Sequence, residues 1–306
     1  MGVVGGGESL LTLDFPIAGI RVNPLIPVAA GFAVGLFCSP AGISGALYLL
    51  PFQLSVLGVT GPCSSATNML YNVLATPGGV MRLIRERRMC WPLSLTVVVG
   101  SLPGIVVGVV MRILYLPGAA AFRTFAGLFL LASAVLLVVR VVQRHEEDLR
   151  NGKAELEDVY FDLRWITWRF AGTRGRVHAI RLTITCFVVG VAAGAYGIGG
   201  AGLLVPVLVL FFRIPVYIAA GSSLLANFIN SGAGAVSYGL TGYLLGATAL
   251  PDPGLAVLFA AGGFPGIYLG VRLQKHLPSR LLKLLLAILS LAVAWRYLQS
   301  APAGAP

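Results

Sequence analysis

Two short runs of small polar residues carry most of the chemistry that this sequence offers. The runs are Thr67, Asn68 and Asn72 in the first half of the chain and Ser222, Ser223 and Asn227 in the second half. Residues four apart lie on one face of a helix, so each run presents a hydroxyl or amide group beside an asparagine. Such groups can donate hydrogen bonds to an anion, or they can hydrogen-bond between helices and hold a bundle together. The residue types leave both interpretations open.

A glycine-rich turn precedes each polar run, at residues 39–45 and 197–202. Glycine adopts left-handed backbone conformations and allows close backbone approach. A turn that opens a helix also presents unpaired N–H groups at the positive end of the helix dipole, which is a ready anion site. Packing of small residues between helices is the alternative explanation for the glycines. We predict that the turns and runs form one site for a small anion, built from Gly42, Ser44, Gly45, Thr67, Asn68, Asn72, Gly197, Gly199, Gly200, Ser222, Ser223 and Asn227.

The turns and runs belong to an internal duplication. Residues 42–51 return as residues 197–206, at an offset of 197 − 42 = 155. Residues 103–109 return as residues 265–271, at an offset of 265 − 103 = 162. Gly45 therefore corresponds to Gly200, and we expect Gly200 to be the least replaceable residue of its turn. A duplication inside an apolar chain is typical of secondary transporters.

The composition is that of a membrane protein. Of the 306 residues, 57% are hydrophobic and 11% are charged, whereas about a quarter of the residues of a soluble protein are charged. The net charge of +11 fits arginine and lysine held at a cytoplasmic face, so no nucleic-acid partner is predicted. The four cysteines and three histidines lack metal-ligand spacing. We predict no metal, no cofactor and no catalytic residue.

Apolar segments predict five helices in each copy. They are residues 25–39, 46–58, 64–84, 91–114 and 121–142, and then residues 180–196, 203–212, 216–240, 253–271 and 279–298. The first two segments of each copy fall short of the roughly 20 residues that span a bilayer. A re-entrant hairpin with the glycine turn at its tip would accommodate them, and two full crossings remain open. The predicted fold is an all-α polytopic membrane protein with two inverted-topology repeats, each a short-helix hairpin with a Gly-rich turn plus three transmembrane helices.

Basic residues set the predicted orientation. Residues 82–88 carry four arginines, whereas the counterpart loop at residues 239–253 has no basic residue. The next loop shows the opposite contrast. Residues 272–283 of the second copy carry four basic residues, whereas the counterpart at residues 116–121 has none. By the positive-inside rule the copies therefore lie upside down relative to each other, with both termini extracytoplasmic. The predicted domains are an N-terminal extracytoplasmic segment (1–23), repeat 1 (24–142), a cytoplasmic linker containing an interfacial amphipathic helix (143–179), repeat 2 (180–298) and a C-terminal tail (299–306).

The turns also carry a family resemblance. Two glycine turns that lead to a proline, Pro51 and Pro206, and are followed by a small-polar helix resemble the TauE/SafE sulfite exporter family, also called the toluenesulfonate uptake permeases. The resemblance covers residues 24–298. Residues 197–202 match most specifically, and the first copy departs at Ser44 and Leu47. The resemblance implies secondary transport of small anions, often sulfur oxyanions or organosulfonates.

We therefore predict a secondary transporter in the plasma (inner) membrane of a prokaryote, which moves a small anion, sulfite or an organosulfonate, by alternating access. No Asp, Glu, Lys or His lies in the middle of a predicted span, and a neutral, donor-rich site suits an anion. Proton coupling would then use the substrate itself, carried protonated. An anion channel and an intramembrane enzyme are the alternatives, and the enzyme needs a buried catalytic cluster that the spans do not supply. The expected partners are the anion and the lipid bilayer, and the sequence indicates no oligomeric state.

Overall fold

The computed structural model describes residues 12–39, 43–85, 89–142, 156–162, 164–170, 173–245, 249–273 and 279–300. The helices of the first copy are α1 (Leu25–Cys38), α2 (Ala46–Ser55), α3 (Pro62–Ala75), α4 (Pro77–Arg85), α5 (Trp91–Leu114) and α6 (Ala119–Val142). Those of the second copy are α7 (Ala179–Tyr196), α8 (Ala201–Phe212), α9 (Val216–Leu245), α10 (Pro253–Leu273) and α11 (Ser279–Gln299). Two small sheets are formed by β1 (Leu13–Phe15) with β2 (Ile20–Val22), and by β3 (Leu156–Phe161), β4 (Trp165–Phe170) and β5 (Thr173–His178).

The helices confirm an all-α polytopic membrane protein. Within the described residues, five helices are long and apolar enough to cross a membrane by length and composition: α5, α6, α7, α10 and α11. Helices α1, α2 and α8 are short, with 14, 10 and 12 residues. Helix α7 was expected to be too short to span, but it has 18 residues and is among the five.

The third predicted helix of the first copy is two helices. Helix α3 ends at Ala75 and α4 begins at Pro77, because proline has no N–H to donate and its ring clashes with the carbonyl group four residues earlier. The Thr76 N–H and hydroxyl both donate to the carbonyl oxygen of Asn72 at the break. The counterpart helix α9 runs unbroken for 30 residues. The prediction of one helix over residues 64–84 is therefore wrong.

The described part of the linker, from residue 156 onwards, forms an antiparallel sheet, so the prediction of an amphipathic helix around its tryptophans is wrong. Strand β4 pairs with β3 on one side and with β5 on the other. Ile166, Trp168 and Val177 are buried, whereas Arg174 and Arg176 are exposed. The alternation has a period of two residues, and the segment is rich in aromatic and β-branched side chains, which favours a strand over a helix.

Glycines bring two pairs of helices into close backbone contact. On α5, a Cβ atom at Gly104 would overlap the carbonyl oxygen of Phe187 on α7. On α10, a Cβ atom at Gly262 would overlap the carbonyl oxygen of Val28 on α1. Because α1 corresponds to α7 and α5 to α10, the two contacts are equivalent in the two copies. Small residues at such crossings let helices pack closely inside a membrane.

Equivalent helices of the two copies run in opposite directions. Gly234 of α9 lies against Met69 of α3, and Leu224 of α9 lies against Gly79 of α4. Helix α9 therefore runs antiparallel to the segment formed by α3 and α4. The contacts of α10 with α1 and with α3 advance along both helices in the same direction, so these three helices run parallel. Their beginnings therefore lie together at one end, here called the α1 end. The beginnings of α5, α7 and α9 lie at the opposite end, the α7 end. This is the arrangement that inverted repeats require, and which end faces the cytoplasm stays a prediction.

We expect Gly262→Ala to destabilise the protein. The added methyl group would overlap the carbonyl oxygen of Val28, so α1 and α10 must move apart, and overpacking of this kind costs about 1–3 kcal/mol. Gly232→Ala in α9 is the matched control, because nothing lies within 4 Å of its added Cβ. Thermal unfolding in detergent should give a lower midpoint for Gly262→Ala only. Equal midpoints would contradict the close packing.

We expect reporter fusions to place the α7 end in the cytoplasm. The sheet formed by β3, β4 and β5 leads directly into α7, and Arg82 and Arg85 lie at the end of α4, shortly before α5, so both lie at the α7 end. A fusion after Asp162, between β3 and β4, should report a cytoplasmic location. A fusion after Leu116, between α5 and α6, should report the outside. The reverse pattern would contradict the orientation taken from the basic residues.

Candidate functional site

The second glycine turn joins α7 to α8 and has an unusual backbone. Gly197 ends α7 with φ = 94° and Gly200 begins α8 with φ = 107°, conformations that L side chains rarely adopt. The N–H groups of Gly197 and Ile198 donate to the carbonyl oxygen of Ala193. Among the described residues, the N–H groups of Gly199 and Gly200 have no acceptor. The turn therefore presents two free donors at the start of a helix, where the dipole favours an anion.

Two asparagine side chains hold the carbonyl groups of this turn. Asn68 Nδ2 on α3 donates to Gly197 O at 2.8 Å and to Ala46 O at 2.9 Å. Asn230 Nδ2 on α9 donates to Gly199 O at 3.1 Å. Asn68 thereby connects the second turn to the beginning of α2, which follows the first turn. The two hairpins meet at one side chain in the interior.

Asn227 lies beside this turn with no hydrogen-bond partner. It is 1% exposed, and neither Nδ2 nor Oδ1 has a partner among the described residues. A Cβ atom at Gly199 would overlap Asn227 O and Ser231 Oγ and would lie 2.8 Å from Asn227 Oδ1. A buried polar group without a partner costs about 1–3 kcal/mol. A ligand bound here would satisfy both the unpaired amide and the free backbone donors.

The polar face of α9 extends one turn in each direction from Asn227. Ser223 lies four residues before it and Ser231 four residues after it, so the three side chains share a face. The hydroxyl groups of Ser223 and Ser231 are buried and also lack a partner in the described part of the chain. Four unpaired polar atoms thus line one stripe of α9 next to Gly199.

The first turn offers a related but different arrangement. Ser44 Oγ donates to Asn72 Oδ1 at 3.1 Å, and Asn72 Nδ2 is buried without a described partner. The hydroxyl group of Tyr71 is also buried and unpaired, next to Gly45. Gly45 has φ = −58°, so this turn does not share the left-handed start of α8. Gly42 lies outside the described residues.

Thr67 and Ser222 have structural partners. Thr67 Oγ1 accepts a hydrogen bond from the N–H of Asp252 at 2.9 Å, which joins α3 to the beginning of α10. Ser222 Oγ lies 2.9 Å from Ser94 Oγ, which joins α9 to α5. Thr67 and Ser222 are equivalent positions, and each connects a polar run to the beginning of the fourth predicted helix of the opposite copy, through a backbone N–H in one case and a hydroxyl group in the other.

Asp252 is buried, but its carboxylate has a structural role. Oδ1 accepts from the N–H of Leu255 at 3.0 Å, which caps the beginning of α10, and Oδ2 accepts from the N–H of Ala18 at 3.1 Å. Among the described residues, no group of three or more His, Cys, Asp or Glu side chains could hold a metal ion. The side chains that touch the turns directly, such as Asn68, Asn227 and Asn230, are therefore neutral hydrogen-bonding groups.

Sequence reasoning missed Asn230, Ser231 and Tyr71. Asn230 could have been found from its place next to the polar face of α9, but its counterpart in the first copy is Ala75, so a comparison of the copies passes over it. The expectation that Gly200 is the least replaceable residue of its turn stays a prediction, because its φ of 107° disfavours any L side chain whereas its packing is not the tightest in the turn. A Cβ atom at Gly200 meets the flexible end of Leu204 at 2.8 Å, whereas one at Gly199 overlaps backbone.

Known proteins resemble this chain over most of its length. A family model described as "Sulfite exporter TauE/SafE" matches residues 27–297. The probable membrane transporter protein YunE of Bacillus subtilis is 22% identical over 281 residues, which cover 88% of this chain and 95% of the relative. No solved structure matches the chain.

Two further relatives match in part. A probable membrane transporter protein of Xylella fastidiosa is 34% identical over 124 residues, which cover 38% of this chain and 44% of the relative. The probable membrane transporter protein YdhB of Bacillus subtilis is 31% identical over 108 residues, which cover 35% of this chain and 40% of the relative. Since the family model spans both copies and the turns between their short helices, the chain belongs to the sulfite exporter TauE/SafE family.

Proposed function

We propose that the protein is a secondary transporter of the plasma membrane that moves a small anion, a sulfur oxyanion such as sulfite or an organosulfonate, by alternating access. The family description names a sulfite exporter, and the relatives are named probable membrane transporter proteins rather than enzymes. The observation that carries the proposal is the unpaired amide of Asn227, buried beside the free N–H groups of the second turn.

The sign of the substrate charge follows from which groups of the second turn are already occupied. The carbonyl oxygens of Gly197 and Gly199 accept hydrogen bonds from Asn68 and Asn230, so they are poorly placed to bind a cation. The N–H groups of Gly199 and Gly200 remain free. Hydrogen bonds from such donors to an anionic oxygen are charge-assisted and roughly twice as strong as neutral ones.

The first turn favours an anion for a similar reason. Ser44 Oγ donates to Asn72 Oδ1, so the acceptor side of that amide is occupied and the Nδ2 donor remains. The Tyr71 hydroxyl group can also donate. Donors from both copies therefore surround the region where the hairpins meet at Asn68. Alternating access would expose this region to each end in turn, as inverted repeats allow.

An anion channel on the same scaffold is the alternative within transport. A carrier binds its substrate in each cycle, so its flux saturates. Unlabelled substrate inside the vesicles also drives the uptake of labelled substrate from outside, which is called counterflow. Counterflow in proteoliposomes with sulfite and with an organosulfonate separates the two. An intramembrane enzyme would need a catalytic cluster, and no specific observation favours it.

We expect Asn227→Ala and Asn72→Ala to weaken anion binding without unfolding the protein. Each change removes a buried amide that has unpaired atoms, so stability should change little, while the loss of a hydrogen bond to an anion costs about 1.5–3 kcal/mol. Sulfite affinity of the purified variants should fall roughly tenfold or more. Ser133→Ala is the control, because its hydroxyl group donates only within α6, to Phe129 O. Parent-like affinity in both asparagine variants would move the site elsewhere.

We expect Asp252→Asn to keep gradient-driven accumulation. Its carboxylate caps α10 and holds Ala18, asparagine is also a good N-cap, and removal of the cap in Asp252→Ala should cost about 1 kcal/mol of stability. If the substrate itself carries the proton, neither change removes a coupling group. Accumulation and exchange are measured in proteoliposomes with a pH gradient. Loss of accumulation with intact exchange in Asp252→Asn would make Asp252 the coupling group instead.

A further inference from the structure

A buried arginine lies close to the second turn and has no carboxylate partner in the described part of the chain. Arg112 is in the last turn of α5, at the α1 end, and is 1% exposed. Its Nε donates to Ser65 Oγ at 3.4 Å and its Nη1 donates to Leu116 O. The guanidinium carbon lies 3.7 Å from the centre of the Phe122 ring. A guanidinium has five N–H donors, so these contacts leave several of them without an acceptor.

The acids whose side chains the structure describes, Asp14, Asp162 and Asp252, all lie away from Arg112. Asp14 pairs with Arg21, and Asp252 caps α10 and holds Ala18. Asp162 follows β3 in the linker, which lies at the α7 end, whereas Arg112 lies at the α1 end. A charge taken out of water is costly unless it is paired. The Phe122 ring and the carbonyl oxygen of Leu116 compensate only part of this cost.

A purely structural explanation accounts for some of these contacts. Arginine in the last turn of a helix can donate to the final carbonyl groups and interacts favourably with the helix dipole. An exposed side chain would serve that purpose with its charge in water, as Lys and Arg commonly do at span ends. Arg112 instead reaches inward to Ser65, so capping does not explain why its charge is buried.

Ser65 connects Arg112 to the candidate site. Ser65 Oγ donates to Tyr196 O at 3.2 Å, and a Cβ atom at Gly197 would lie 2.6 Å from Ser65 Cα. One residue therefore separates the guanidinium from the beginning of the second turn. The position equivalent to Arg112 in the second copy, at 112 + 162 = 274, is a glutamine. The positive charge thus belongs to one copy and to one end of the protein.

We propose that Arg112 binds a small oxyanion at a second site, between the second turn and the α1 end, and that the anion supplies the missing counter-charge. This inference rests on the proposed anion transport and adds a charged station on one side of a neutral site. An ionisable residue inside a membrane protein marks an ion pathway more often than a packing position. The anion then moves between one site where the positive charge of Arg112 binds it and another where neutral hydrogen-bond donors bind it.

The test compares three variants of Arg112 with a control. Arg112→Met keeps the length and removes the charge, Arg112→Gln also keeps a donor, and Arg112→Lys keeps the charge without the planar fork. Arg123→Gln removes a partly exposed arginine at the same end, at the beginning of α6. Sulfite, sulfate and toluenesulfonate are titrated against the purified full chain in detergent, and thermal unfolding gives both the affinity and the anion-free stability.

The proposal predicts that sulfite raises the unfolding temperature of Arg112→Met and Arg112→Gln less than that of the parent at every concentration, because only the site beside Asn227 remains. Arg112→Lys should keep most of the parent's shift, and Arg123→Gln should keep all of it. Without anion, Arg112→Met should unfold at the parent temperature or higher, because an uncompensated buried charge has been removed. A structural arginine predicts the opposite shift. Parent-like sulfite binding by Arg112→Met, or its failure to fold in anion-free buffer, would overturn the proposal. A parent that none of the three anions stabilises would overturn this site and the proposed function together.

Discussion

Two hydrogen bonds from asparagine side chains to backbone carbonyl groups hold the second turn in its shape. Asn68 holds the carbonyl group of Gly197 and Asn230 holds that of Gly199. The turn can adopt this shape because Gly197 and Gly200 take left-handed conformations. Each of these carbonyl groups already accepts a hydrogen bond, whereas the N–H groups of Gly199 and Gly200 have no acceptor among the described residues. Under the proposed function, these donors favour a negatively charged ligand. Asn68 also holds Ala46, which couples the shape of this turn to the other hairpin.

The two copies share a scaffold but differ in their chemistry. At one position of the turn the first copy has Ser44, whose hydroxyl group donates to Asn72, and the second has Gly199, which leaves Asn227 unpaired. Arg112 has no basic equivalent in the second copy. Under the proposed function, a symmetric packing of helices would therefore support an asymmetric route, with the charged group on the side of the α1 end. The anion would then meet a different affinity from each side of the membrane.

Much of the scaffold could be predicted from the sequence, because its signals are local. The apolar run over α5 gave the bounds Trp91–Leu114 directly, and the offset between copies located Asn72 and Asn227. The linker sheet was missed because its mixture of arginine and aromatic residues also suits an amphipathic helix. The burial of Arg112 could not be predicted, since its position near a span end says nothing about the contacts with Ser65 and Phe122 that tertiary packing creates.

The most direct measurement of the central claim is the position of a heavy substrate analogue. Selenite resembles sulfite in shape and charge, and selenium can be located by anomalous scattering in crystals of the full chain. The account predicts a selenium peak beside the second turn, with the oxygens of the selenite ion about 3 Å from Asn227 Nδ2 and from the N–H groups of Gly199 and Gly200. A selenite ion bound with measurable affinity but located away from both turns would contradict it.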